Sequence, residues 1–193
     1  MGAPFIKLFY NYGAPERKEI DVTTLEIGWS PYGKQVTYID FSGLTGSDLI
    51  WGLSVKGPEI RKLDLSPLAT CPNLRNVNIE YNPKLKKVDL SPLSRSDTLQ
   101  IVKILANSKL VDLILPSTPS LRELRISGNG LEQIDISPLV VCDILTIFSI
   151  DERISILMDS RFKNDTNLPK SIQQIRDRVI WKNPLSKENG ARV

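Results

Sequence analysis

The sequence contains no histidine and only two cysteines, Cys71 and Cys142, in 193 residues. Without histidine there can be no Ser-His or Cys-His nucleophile, and the commonest metal ligand is missing. Two cysteines are too few for a structural zinc site. No apolar run approaches the roughly 18 residues that a membrane helix needs. The opening stretch MGAPFIKLFYNYGAP lacks the apolar core of a signal peptide. Gly2 is followed by Ile6 where a myristoylation signal wants Ser or Thr. Walker and dinucleotide fingerprints are also missing. The expectation is a cytoplasmic chain without a cofactor, with no transmembrane segment, and not an enzyme.

The formal net charge is +3, unevenly spread. Residues 1–151 carry 16 basic and 17 acidic side chains, whereas residues 152–193 carry 9 and 5. One expectation is therefore that the basic C-terminal segment attracts nucleic acid or an anionic membrane surface. A carboxylate-dependent enzyme is a weaker alternative, because the aspartates recur beside Ser-Pro-Leu, where capping is the simpler use.

What the chain does have is a repeat. Leu63–Leu68 reads LDLSPL and Val88–Leu93 reads VDLSPL. Taking the aspartate as anchor, apolar residues follow at +10, +13 and +15. Asp64 gives Leu74, Val77 and Ile79; Asp89 gives Leu99, Val102 and Ile104; Asp135 gives Leu145, Phe148 and Ile150. Asp40, in the weaker motif IDFSGL, gives Ile50, Leu53 and Val55. Asp112 fits only with one residue deleted, giving Leu121, Leu124 and Ile126, and its surroundings admit two registers. A second column agrees with the first: Asn82, Asn107 and Asn129 each stand three residues after a triad, while Pro58 and Arg153 take that place at the ends.

Each apolar-x-apolar unit reads as a short strand with one side in and one side out. The asparagines are placed to satisfy backbone groups at a buried bend. Ser66-Pro67, Ser91-Pro92 and Ser137-Pro138 read as a helix N-cap followed by Pro at the first helical position. One turn cannot bury its apolar edge alone, but stacked turns can. Cys71 and Cys142 share the +7 column with Ser47 and Ser96, so they read as small packing residues, three turns apart and unable to bridge.

The pattern L-x-x-L-x-L-x-x-N-x-L over residues 39–150 resembles leucine-rich repeat proteins of the DLSPL type, common in archaea and some bacteria. The resemblance implies an α/β solenoid with a curved parallel sheet on its concave face, short helical turns on its convex side, and a function in protein binding. The expected layout is an N-terminal β cap over residues 1–38, repeats over 39–158 with the fourth turn irregular, a C-terminal helical cap over 159–182 and a disordered tail from 183. The cap contains a hairpin around Pro31-Tyr32-Gly33, with Trp29 and Trp51 as cap packing. In residues 171–181, Ile172, Ile175, Val179 and Ile180 fall on one helical face, which predicts a closing helix.

Residues beside the buried triads point outward in three columns. The expected partner-binding set is Asn76, Asn78, Glu80, Tyr81, Ile101, Lys103, Leu105, Glu123, Arg125 and Ile147. Apolar Ile101, Leu105 and Ile147 surround Lys103 and Arg125, the makeup of an interface core. The expected role is a monomeric, non-catalytic scaffold for a partner protein.

Overall fold

The computed structural model describes residues 3–11, 13–20, 24–27 and 35–183. Trp29, the Pro31-Tyr32-Gly33 turn and the tail beyond 183 lie outside the described residues. The strands in chain order are β1 (Phe5–Tyr10), β2 (Glu16–Glu19), β3 (Thr24–Ile27), β4 (Val36–Asp40), β5 (Gly52–Val55), β6 (Asn76–Glu80) and β7 (Lys87–Asp89). They continue with β8 (Ile101–Leu105), β9 (Asp112–Ile114), β10 (Glu123–Ser127), β11 (Gln133–Asp135), β12 (Ile147–Ile150), β13 (Ser155–Asp159) and β14 (Val179–Lys182). The only α-helical turn among the described residues, α1, is Lys170–Gln173.

The central feature is a six-stranded sheet in the order β12-β10-β8-β6-β5-β3, parallel throughout. Its register is the one the repeat dictates: Val77 lies opposite Val102 and Ile79 opposite Ile104, and these continue onto Leu124 and Ile126. All six of these side chains are fully buried. Alternation along each strand sends their neighbours to the other side of the sheet.

Three columns hold the turns in register. The first is the anchor aspartate. Asp40, Asp64, Asp89 and Asp135 each accept, through Oδ1, the N–H of the serine two residues on, at 2.9 Å. The cap belongs to this Asx turn rather than to the serine expected from the sequence, and the turns that follow at Ser66–Thr70, Ser91–Arg95 and Ser137–Val141 are 3-10. In the weak motif, Gly43 stands where the others have proline. A Cβ there would lie 2.5 Å from the Phe5 carbonyl oxygen, so β1 can approach only because the residue is glycine.

The second column is the buried asparagine ladder. Asn82, Asn107 and Asn129 donate through Nδ2 to the carbonyls of Val55, Ile79 and Ile104, one turn back, at 3.1, 2.9 and 2.7 Å. Asn82 N–H donates to Asn107 Oδ1 (3.0 Å) and Asn107 N–H to Asn129 Oδ1 (3.1 Å). Pro58 has no N–H to offer, so among the described residues Asn82 Oδ1 is buried without a donor. At the far end Arg153 donates to the Asn129 carbonyl instead, at 2.6 Å.

The third column precedes each asparagine: Tyr81 (φ 54), Ala106 (φ 55) and Gly128 (φ 66) all adopt the left-handed conformation that turns the chain into the bend. The cysteines are free and buried, and their thiols donate to carbonyls of the previous turn: Cys71 to Leu44 and Cys142 to Thr118, both at 3.1 Å.

Several expectations are corrected. Residues 171–181 do not form one helix: α1 is four residues, a 3-10 turn covers Arg176–Arg178, and β14 pairs in parallel with β13. Ile172 and Val179 are buried as the helical spacing required, yet Ile180 is 54% exposed, because in a strand it alternates outward. The end expected to carry a helical cap thus ends in a strand. In the fourth turn the position opposite Asp89 is Ile114, while Asp112 lies opposite Lys87 and pairs with it at 2.9 Å. Counting from Ile114, the path to Leu121 is shorter than in the regular turns, and no 3-10 turn forms there. At the N-terminus the two strands expected to form a hairpin part company. β3 extends the six-stranded sheet, with Leu25 opposite Leu53, whereas β4 pairs antiparallel with β1 in a three-stranded sheet with β2. Trp51 is not cap packing; it is 40% exposed, with the Arg75 guanidinium 4.4 Å from its ring centre.

Candidate interaction surface

The outward side of the six-stranded sheet is built from the residues that flank the buried triads. Across the strands, Gly52, Asn76, Ile101, Glu123 and Ile147 form one row. The next is Ser54, Asn78, Lys103, Arg125 and Ser149. Glu80, Leu105 and Ser127 form a third, with Lys56 just beyond β5. Apart from buried Gly52, these positions are exposed or half-buried, whereas the triads behind them are buried except on the edge strand β12, where Phe148 and Ile150 are half-buried.

The charges in the middle form a cluster. Glu123, 14% exposed at its side chain, accepts from Arg125 Nε at 2.7 Å and lies 3.2 Å from Lys103 Nζ. The Arg125 bond, with help from Lys103, holds the Glu123 carboxyl below its ordinary range against the opposing effect of burial. The cluster therefore presents one surplus positive charge, less than two free cations would. A second pair, Lys56 with Glu80 at 3.0 Å, lies beside Tyr81, whose ring is 5.9 Å from the Lys56 ammonium. Tyr81 is 63% exposed and, with Pro58, Pro83 and Ala106, lines an apolar groove along the bends. Ile147 is 41% exposed on the edge strand β12, and Ile101 and Leu105 are half-buried. The sequence-derived residues are thus neighbours in the rows expected, but Lys103, Glu123 and Arg125 are mutually engaged.

The C-terminal segment is less available than its composition suggests. Arg161 pairs with Asp159 at 2.6 Å and Lys182 with Asp135 at 2.5 Å. Arg176 donates to the Lys163 and Asp165 carbonyls, and Arg178 to those of Asp151 and Glu152. Lys182, Arg176 and Arg178 tie β14 and its approach to the preceding turns, whereas the Arg161 pair is local.

Sequence reasoning missed a basic groove beside β7, just past the asparagine bend. Arg61, Lys62, Lys84, Lys86 and Lys87 surround half-buried Leu63 there. The signal was present in the alignment of turns, since Arg61 and Lys86 share one column and Lys62 and Lys87 the next.

Among the described residues, no group of three or more His, Cys, Asp or Glu side chains could hold a metal ion, and no helix is long and apolar enough to cross a membrane. The class of fold follows from the registers: a repeat solenoid of parallel strands. No family model matches the chain, and no curated protein gives a significant match. Among solved structures, an internalin from Listeria monocytogenes is similar at 18% identity and a TM-score of 0.35, over 76% of this chain and 52% of the internalin. The chain spans about half the length of that protein.

Proposed function

We propose that this chain is a non-catalytic scaffold that captures a partner protein on the outward, concave side of the six-stranded sheet, with Tyr81, Ile101, Leu105 and Ile147 as apolar anchors around Lys103, Glu123 and Arg125. The observation that carries the reading is Tyr81. An aromatic side chain in the left-handed conformation costs about 1–3 kcal/mol relative to the glycine that occupies the same column at Gly128. Its ring is mostly in solvent, so it recovers little of that cost within the chain. Exposed aromatics are the residue type that dominates binding energy. Six strands with up to three outward rows supply about 16 contacts, below the roughly 20–30 per side of a standard interface, so the partner also grips the bends or binds weakly.

The test is Tyr81→Gly. It should raise unfolding stability by about 1 kcal/mol while abolishing capture of the partner from a native lysate. A variant that is more stable and captures the partner undiminished removes Tyr81, and with it the main support, from the reading.

A further inference from the structure

The groove beside β7 gathers five cationic side chains. It has a volume of ≈ 470 Å³ and is walled by Arg61, Lys62, Lys84, Lys86 and Lys87, with Asp89 at its edge, over a floor of Leu63. Part of this charge is balanced. Lys84 is 2.5 Å from Glu59, Arg61 is 4.0 Å from the same carboxylate, and Lys87 is 2.9 Å from Asp112. Lys62 and Lys86, both exposed, have no ion-pair partner among the described residues. They come from adjacent turns and are out of column by one residue, so both line the same groove.

Three features select among anions. The groove has no aromatic side chain, so it offers no platform on which nucleobases could stack. The positive charge is confined to two turns: the columns of Arg61 and Lys86 continue into Val111 and Glu132, and those of Lys62 and Lys87 into Asp112 and Gln133. A long nucleic acid backbone crossing this edge would meet carboxylates. The floor is apolar, formed by Leu63 and the aliphatic stems of the lysines, which bury their methylenes and keep their ammonium groups in water.

The geometry points to a second docking site, separate from the outward sheet face, that takes a short acidic peptide segment with an apolar side chain between its carboxylates. The carboxylates pair with Lys62 and Lys86, and the apolar side chain covers Leu63. The site is a pole of positive charge on a solenoid whose residues 1–151 are otherwise slightly acidic.

The experiment is a fluorescence-anisotropy titration of the full chain with a fluorescein-labelled Glu-Glu-Leu-Glu-Glu-Leu-Glu peptide. The comparison ligands are the same peptide with serine for leucine and a labelled oligodeoxythymidine. Binding of the leucine peptide should exceed that of the serine peptide severalfold and that of the oligonucleotide. Lys62→Glu with Lys86→Glu should weaken the leucine peptide by about tenfold or more through like-charge repulsion, and Lys62→Gln with Lys86→Gln by less. Lys103→Glu with Arg125→Glu, on the sheet face, should leave it unchanged, which separates this site from the one proposed above. The inference is overturned if the leucine peptide does not bind, if the oligonucleotide binds as tightly, if serine replaces leucine without loss, or if well-folded Lys62 and Lys86 variants bind as the parent does.

Discussion

The two sides of the solenoid are made by the same turns, yet one is continuous and the other is broken. On one side six strands form an uninterrupted parallel ladder. On the other, β7-β9 and β11-β13-β14 are separate sheets, and no ladder joins β9 to β11. The break coincides with the fourth turn, which loses its 3-10 segment and puts Ile114 where its neighbours have aspartate. The continuous side stays in register across this same turn because Asn107 and Asn129 are bonded to each other and to the carbonyls behind them. A turn tolerates a shortened connection as long as its buried polar bend is satisfied. The asparagine column, more than the Ser-Pro-Leu segment, therefore fixes the six-stranded face.

The largest expected effect comes from breaking that column at its centre. Asn107→Leu keeps the branched shape but strips partners from the Asn82 N–H and the Ile79 carbonyl, and leaves Asn129 Oδ1 only the Asn107 N–H. Each buried unsatisfied group costs about 1–3 kcal/mol, so urea denaturation should show a loss of at least about 2 kcal/mol. By comparison, Ser91→Ala, at an exposed 3-10 start, should cost less than about 0.5 kcal/mol.

A smaller effect comes from the outward side of the six-stranded sheet. Lys103→Glu with Arg125→Glu places three carboxylates together around Glu123, so it should lower stability by about 1 kcal/mol, in the range of exposed ion pairs. Partner capture should be lost, and a pull-down alongside a denaturation curve checks both. Mending the ladder should work in the opposite sense. Pro58→Asn would give Asn82 Oδ1 the N–H it lacks. Relief of that buried acceptor, less the entropy that proline removes from the unfolded chain, should gain about 1 kcal/mol in the same denaturation assay.

The smallest effect is a pH dependence on the broken side. Burial pushes the Asp135 carboxyl up, but bonds from Lys182 and Ser137 outweigh it and hold it below its ordinary value. A depressed carboxyl contributes stability above the unfolded value near ~3.9 and loses it as the pH falls through the folded value. Acid should therefore loosen β14 before the asparagine ladder, whose members do not titrate. Trp181 fluorescence during acid titration should report an early change that Asp135→Asn removes.

Much of this was legible in the sequence. The +10, +13 and +15 offsets and the asparagine column set the strand register, because a one-residue slip would expose Val77, Ile79 and their equivalents. The outward rows followed from the same alternation. What failed did so for local reasons. The spacing of Ile172, Ile175 and Val179 fits a helix, and it equally fits a short turn leading into a strand. Asp112 looked like an anchor because it precedes leucine, but a shortened turn moved the column to Ile114. β3 was hidden because β4 and the Gly43 turn are inserted before β5, so its offset to the next strand matches none of the others. The engagement of Lys103 and Arg125 by Glu123 depends on distances between strands, which a linear pattern does not carry.

Amide hydrogen exchange on the intact chain distinguishes a rigid six-stranded sheet pinned by buried asparagines, with a more permissive opposite side, from a solenoid of uniform stability. Exchange should be slowest at Val77–Ile79, Val102–Ile104 and Leu124–Ile126, and faster at Lys87–Asp89 and Asp112–Ile114. Asn107→Leu should erase the difference. Equal protection on both sides in the parent chain, or an Asn107→Leu variant that retains slow exchange at Ile79 and Ile104, would contradict it.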